Sequence, residues 1–263
     1  MKRLSFVLLC FSVIVLCSCD NKESSNLRIM SYNIRHGEGM DKILDLSRAA
    51  DIINAQSPDL CGLQEVDNFC TRSDSISQTQ YLAKKTSMKG TFGRFMNYQG
   101  GEYGMATLSA KPLISTEILQ LSDGLYEPRS AILHQVELAK GCTIVFVNVH
   151  FDWIESEEGI SSRLNQAKSL LQHIDTDLPV IITGDFNCTP DSPTMQYFYE
   201  NGFEFVNKGE DNASYQGSKK IEIDHVIYRN TKDQRIIARN TKLLKEPVVS
   251  DHRPLITDLE IIY

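Results

Sequence analysis

Five apolar, strand-like runs in this chain each border a short polar cluster. That pattern favours a fold whose buried strands deliver their ends to a common rim, where sites form. The clusters are Asn33 after 27–32, Gln64-Glu65 after 59–63, Asn148-Val149-His150 after 143–147 and Asp185-Phe186-Asn187 after 179–184. The fifth is Ser250-Asp251-His252, ahead of Arg253-Pro254-Leu255. Brought to one rim, they supply Asn33, Glu65, His150, Asp185, Asn187, Asp251 and His252. That is a set of oxygen ligands for a hard cation, with two imidazoles, and it suits metal-assisted phosphoryl hydrolysis.

Between the clusters the periodicity alternates. Strands are predicted over 27–34, 60–64, 92–98, 105–108, 113–121, 131–138, 143–149, 180–183, 222–228, 235–243 and 254–261. Helices are predicted over 41–56, 77–88, 160–174 and 194–200. Residues 99–104 read as a glycine-rich loop, and Ala139-Lys140-Gly141 as a hairpin turn. Strands outnumber helices, and hairpins are mixed with strand–helix–strand units. A single doubly wound parallel sheet does not fit, whereas two packed mixed sheets with helices outside do. No linker or repeat interrupts 27–263, so one domain is expected there.

The first residues follow a different logic. Lys2-Arg3 opens a basic start, and the apolar run 4–16 is too short to span a bilayer well. Leu16-Cys17-Ser18-Cys19 resembles a bacterial lipoprotein signal. That implies removal of 1–18, lipid attachment at Cys19 and a polar tether over 19–26. The expected location is a bacterial membrane, on its periplasmic or cell-surface side. The formal charge is −7, and loss of Lys2 and Arg3 makes it about −9. Phosphate contacts need lysine and arginine, so this balance disfavours nucleic acid as a partner. A monomer is expected. Cys61, Cys70, Cys142 and Cys188 would permit two disulfides in an exported chain, but their apolar surroundings favour free thiols.

The polar clusters carry separable chemistry. Glu65 is a hard oxygen ligand of the kind that leaves a divalent cation room for substrate phosphate. Asp185 and Asn187 straddle Phe186, so alternation turns both polar groups to one side, where they can orient and deprotonate water. A protonated imidazole at His252 can donate to a phosphoryl oxygen as charge builds, and an orienting carboxylate would favour that form. Arg72, Arg129 and Arg163 offer planar recognition of the other phosphate oxygens, and Tyr103 a ring or hydroxyl for the substrate. His225 should face away from its neighbour Asp224, and His36 is expected at the surface.

Seven motifs then occur in order: Ser31-Tyr32-Asn33-Ile34, Leu63-Gln64-Glu65-Val66, Tyr103-Gly104-Met105-Ala106, Asn148-Val149-His150, Gly184-Asp185-Phe186-Asn187, Ile223-Asp224-His225 and Ser250-Asp251-His252. Together they resemble the endonuclease/exonuclease/phosphatase superfamily across nearly all of 27–263. The resemblance implies a four-layer α/β/β/α sandwich of two mixed, mainly antiparallel sheets. It implies Mg²⁺, with Mn²⁺ as an alternative, held at Glu65 with Asn33 beside it and Asp251 near. It also implies that Asp224 orients His252, that His150 contacts phosphate, and that Pro128-Arg129 matches a family element. Met105 stands where many relatives carry asparagine, which bears on substrate specificity. The expected activity is phosphodiester hydrolysis of a lipid head group or small diester. The alternatives are a secreted nuclease, an inositol-phosphate-type monoesterase and a catalytically silent binding lipoprotein.

Overall fold

Side-chain alternation along each strand sorts the apolar runs between two environments. In a computed structural model describing residues 22–263, strand β1 (Ser24–Asn33) turns Leu27 and Ile29 into a core between two sheets. Its Met30 and Tyr32 turn outward against helices. Strand β7 (Cys142–His150) does the same, with Ile144 and Phe146 inward and Val145, Val147 and Val149 outward. Strand β8 (Val180–Asp185) sends Ile181 inward and Val180 and Ile182 outward. Both faces are buried, which is why these runs read as almost unbroken apolar stretches. The same parity places Asn33, Asn148, His150 and Asp185 on the inner face. The space between the sheets therefore changes from apolar at one pole to polar at the other.

The remaining strands are β2 (Leu60–Asn68), β3 (Lys89–Tyr98), β4 (Gly101–Ser109), β5 (Leu113–Gln120), β6 (Ser130–Ala139), β9 (Phe203–Phe205), β10 (Asp224–Arg229), β11 (Arg235–Leu243) and β12 (Leu255–Ile262). One sheet has the order β11-β12-β1-β2-β4-β3 and the other β5-β6-β7-β8-β10-β9. Only β1–β2 and β7–β8 run parallel among these pairings. Helices α1 (Leu46–Gln56) and α2 (Gln78–Thr86) cover the first sheet through Leu46, Ala49, Ala50, Ile53 and Leu82. Helices α3 (Glu157–His173) and α4 (Pro193–Glu200) cover the second through Ala167, Leu170, Met195 and Phe198. This is the expected four-layer sandwich, with two mixed, mostly antiparallel sheets. Phe146 is fully buried between the sheets, so its replacement by alanine would cost about 3–5 kcal/mol.

Several boundaries differ from the sequence reading for local reasons. Strand β1 begins at Ser24, which pairs with Ile262, so the last residues assigned to the tether belong to the sheet. Helix α1 starts at Leu46 because the Asp45 side chain accepts from Ser47 N–H and caps it there. The expected loop over 99–104 shrinks to the turn at Gln99-Gly100, and Gly101 already belongs to β4. Gly104 serves strand approach instead, since a Cβ there would lie 2.0 Å from the Gly93 carbonyl oxygen. The short β9 carries too little pattern to be seen in the sequence. The four cysteines described are buried free thiols. The lipoprotein signal and Cys19 lie outside the described residues. Among the described residues, no helix is long and apolar enough to cross a membrane.

Candidate active site

The polar pole gathers side chains from both sheets around Asn33. Its amide nitrogen donates to Glu65 Oε1 at 3.0 Å and to Asp185 Oδ2 at 3.1 Å, and lies 3.5 Å from His252 Nε2. Its oxygen accepts from Arg35 N–H. As expected, Asn33 stands beside Glu65. Here, however, it bridges two carboxylates as a donor, because those anions attract its NH₂ and leave its oxygen to the backbone.

Glu65 reaches the centre through a register shift in β2 between Leu63 and Val66, with φ +54° at Glu65 itself. Such a bulge re-aims a side chain out of the strand alternation. Beneath it, Gln64 donates across the sheets to Asn148 Oδ1 at 2.7 Å. Asn148 in turn donates to the carbonyls of Leu63 and Ala106 at 3.1 and 2.9 Å. Asn148 is thus a clamp beneath the site, not part of its surface. Gly62 permits this approach, since a Cβ there would meet Asn148 Oδ1 at 2.8 Å.

Asp185 closes β8 with its carboxylate held on both sides. Oδ1 accepts from Asn187 N–H at 2.9 Å and Oδ2 from Asn33. Burial raises its carboxyl to about 7. Asn187, at φ +51°, donates its amide to the Phe151 carbonyl and so turns its own oxygen to the cavity. His252 Nδ1 pairs with Asp224 Oδ2 at 2.8 Å. Burial alone would lower the imidazole's pKa, but Asp224 and Asp185 outweigh it and lift it to about 10. His252 is therefore an imidazolium at neutral pH. His150 Nε2 lies 3.6 Å from Asp185 Oδ2. Burial, and then the charges of Arg129 and His252, keep His150 neutral.

Arg129 lines the cavity, and its environment is unusual. It is 1% exposed, its guanidinium lies 4.9 Å over the Phe95 ring, and it pairs with Glu127 at 2.9 Å. Its Nε and Nη1 have no partner among the described residues. Tyr103 also lines the cavity, packed edge-on to Phe95. Met105 is buried beside both and Ile132, so its side chain serves packing.

Arg72 and Arg163 are not brought to the cavity. Arg72 makes two 2.8 Å bonds to the fully buried Asp67 and lies over the Tyr98 and Tyr103 rings. A buried carboxylate without such a partner would be costly, which fixes Arg72 there. Arg163 spends Nη1 on the carbonyls of Asp152 and Ile154, both at 2.9 Å, and so holds the loop that carries Trp153. His225 faces the opposite side from Asp224, as alternation requires, and bonds Lys208 and the Cys188 carbonyl. His36 is half-buried rather than at the surface.

Sequence reasoning missed the residues that shape the entrance. The cavity, of about 320 Å³, is lined beyond the catalytic groups by Glu127, Trp153, Glu155, Tyr215 and Ser218. Buried Asp152 ties two of its walls together by accepting from Leu125 N–H, Ile154 N–H and Ser162. The signal was its position two residues after His150, still within the run of the motif.

Ligand atoms of Asp185, Asp224 and His252 all lie within 4.8 Å of one another, a cluster able to hold a divalent cation when the imidazole is neutral and through the two carboxylates when it is protonated. Two observations fit such an ion. Asp224 Oδ1 is buried without a partner among the described residues. Burial raises the Glu65 carboxyl above its ordinary range, with Asn33 opposing the shift and Asp251 adding to it. Glu65 and Asp251 also line the cavity, so carboxylate oxygens suited to Mg²⁺ or Mn²⁺ stand on both sides of it.

Two facing sheets, a carboxylate-rich centre and an oriented imidazolium define a metal-dependent hydrolase of phosphoric esters. Residues 30–252 match the Endonuclease/Exonuclease/phosphatase family, and the chain belongs to it. The endonuclease/exonuclease/phosphatase from Beutenbergia cavernae is similar with a TM-score of 0.76 and 20% identity, over 89% of this chain and 71% of that one. A mannosyl-6-phosphatase from Bacteroides thetaiotaomicron is similar with a TM-score of 0.66 and 20% identity, over 89% of this chain and 99% of that one. At such identities the likeness is one of fold. Protein angel of Drosophila melanogaster is 31% identical over 70 residues, which span 22% of this chain and 20% of that protein.

Proposed function

We propose that this protein hydrolyses a small phosphoester whose alcohol is a polyol, such as a sugar or inositol phosphate. The observation that carries this reading is the cavity's composition. A buried arginine with two free N–H-bearing atoms lies beside an entrance of two carboxylates and two aromatic rings. Arginine takes the phosphate oxygens. Glu127 and Glu155 accept from hydroxyls, and the faces of Trp153 and Tyr215 cover the apolar side of a ring. The same carboxylates repel a continued phosphate chain, which weighs against nucleic acid. A volume near the lower end for ligand pockets suits a small molecule.

The chain's own groups divide the work. Asp185 accepts the proton of a water that the free oxygen of Asn187 also orients. His252, held by Asp224, donates from Nε2 to a phosphoryl oxygen as charge develops. His150 adds a neutral donor beside it, and Arg129 fixes the non-reacting oxygens. A bound divalent cation would supply further neutralisation of phosphoryl charge.

The test is turnover on a panel of hexose phosphates, inositol phosphates, small diesters, phospholipid micelles and supercoiled plasmid, each with Mg²⁺ and with Mn²⁺. Polyol phosphates should be preferred, and His252→Ala should lower their turnover by orders of magnitude while the protein stays folded. Preferred nicking of plasmid, or wild-type turnover by His252→Ala, would overturn the assignment.

A further inference from the structure

The direction of β1 bears on where the substrate comes from. The strand starts at Ser24 and ends at Asn33, inside the site, so it runs the length of the sandwich, about 30 Å at ~3.3 Å per residue. Every other catalytic strand end lies at that same pole. Asn33 pairs with Gln64, His150 with Asp185, and Asp185 with Asp224. At the opposite pole, Glu23 exchanges backbone hydrogen bonds with Tyr263, and Cys142 begins β7. From Cys19 to Ser24 an extended chain reaches at most about 18 Å.

We propose that, anchored through Cys19, the protein stands with its cavity facing away from its own bilayer and draws its substrate from the aqueous phase. With the cavity on the membrane surface, Ser24 would stand about 30 Å above it, beyond the reach of the tether. In that orientation a phospholipid of the anchoring membrane does not reach the cavity, which counts against the expected lipid head group for that membrane. The inference takes the phosphoester-hydrolase reading and lipid attachment at Cys19 as its starting points.

The full chain, processed in a bacterial host and reconstituted into phosphatidylglycerol–phosphatidylethanolamine vesicles, tests it. Cys61, Cys70, Cys142 and Cys188 are buried, so one added cysteine can be labelled selectively. Tyr126→Cys marks the cavity pole, where Tyr126 is 79% exposed beside Glu127. Lys140→Cys marks the exposed turn at the other pole. Energy transfer to a head-group acceptor should be roughly tenfold stronger from position 140 than from 126, given their separation of about 30 Å. Hexose phosphate should be hydrolysed equally by the anchored protein and by protein released from vesicles with detergent, and vesicle phospholipid not at all.

Equal transfer from both positions, or hydrolysis of phospholipid in the enzyme's own vesicle, would overturn the proposal. So would absence of a lipid mass on Cys19, or vesicle binding that survives Cys19→Ala. If the transfer ratio holds but no phosphoester is cleaved even in detergent, the orientation stands and the catalytic reading fails.

Discussion

The cross-sheet clamp under the site makes a sharp prediction for Asn148→Leu. Leucine has nearly the same size, so the change removes hydrogen bonds without leaving a large void. Three buried groups lose their partner: the Gln64 amide and the carbonyls of Leu63 and Ala106. At about 1–3 kcal/mol for each unsatisfied group, less some gain from added apolar burial, the net loss is about 4 kcal/mol. That is a large share of a stability of roughly 5–15 kcal/mol. The clamp joins the strand carrying Glu65 to the strand carrying His150, so activity per folded molecule should fall as well. Urea unfolding followed by fluorescence gives the first quantity, and active-site-normalised turnover below the transition gives the second. A stability loss below about 1 kcal/mol with full specific activity would refute the clamp. The double variant with Gln64→Leu should lose less than the sum of the singles, since one broken bond is counted in both.

Further outcomes follow from other parts of the site. Arg129→Lys keeps the charge but not the planar fork, and should raise KM for a phosphoester about tenfold or more with an unchanged circular dichroism spectrum. Glu65→Gln should weaken Mg²⁺ binding in calorimetry by about tenfold or more. In metal-free buffer its thermal midpoint should be unchanged or higher, because burial already disfavours the Glu65 anion. Burial lowers the His134 pKa from 6.5 to about 4 in the folded chain. The unfolded chain therefore binds more protons between those values, and stability should drop as pH falls from about 6.5 to 4. The loss from this residue reaches about 3 kcal/mol at pH 4, and denaturation curves of His134→Gln should show a shallower acid limb.

Strand parity explains how much of this was legible in the sequence. Leu27, Ile29 and Asn33 share one face, as do Phe146, Asn148 and His150, so the apolar runs also point to the strand ends that meet at the candidate site. His225 falls outside the site by the same rule. The arginines were less readable, because a guanidinium's destination depends on partners distant in sequence or without motif character. Arg72 goes to Asp67, whose burial has no local signal, and Arg163 goes to backbone carbonyls. Arg129 was recognised through its proline neighbour, but its pairing with Glu127 was not. The entrance residues Trp153, Glu155 and Tyr215 sit in loops with no periodicity, and only tertiary packing brings them together. Glu65 reaches the centre through a bulge that the strand pattern could not forecast.

The pairing of β1 with β12 has a consequence for biosynthesis. Ser24 lies opposite Ile262 and Ser31 opposite Leu255, so β1 finds one of its two neighbours only once residues 255–262 have been made. Its other neighbour, β2, runs parallel to it and forms late by nature, since parallel pairing closes a long loop. The first sheet thus cannot be completed while the ribosome still holds residues 255–262. His252 joins the centre at the same late moment. A nascent chain built this way stays without its finished fold until residues 255–262 are free, and a fragment lacking β12 should have no hydrolytic activity.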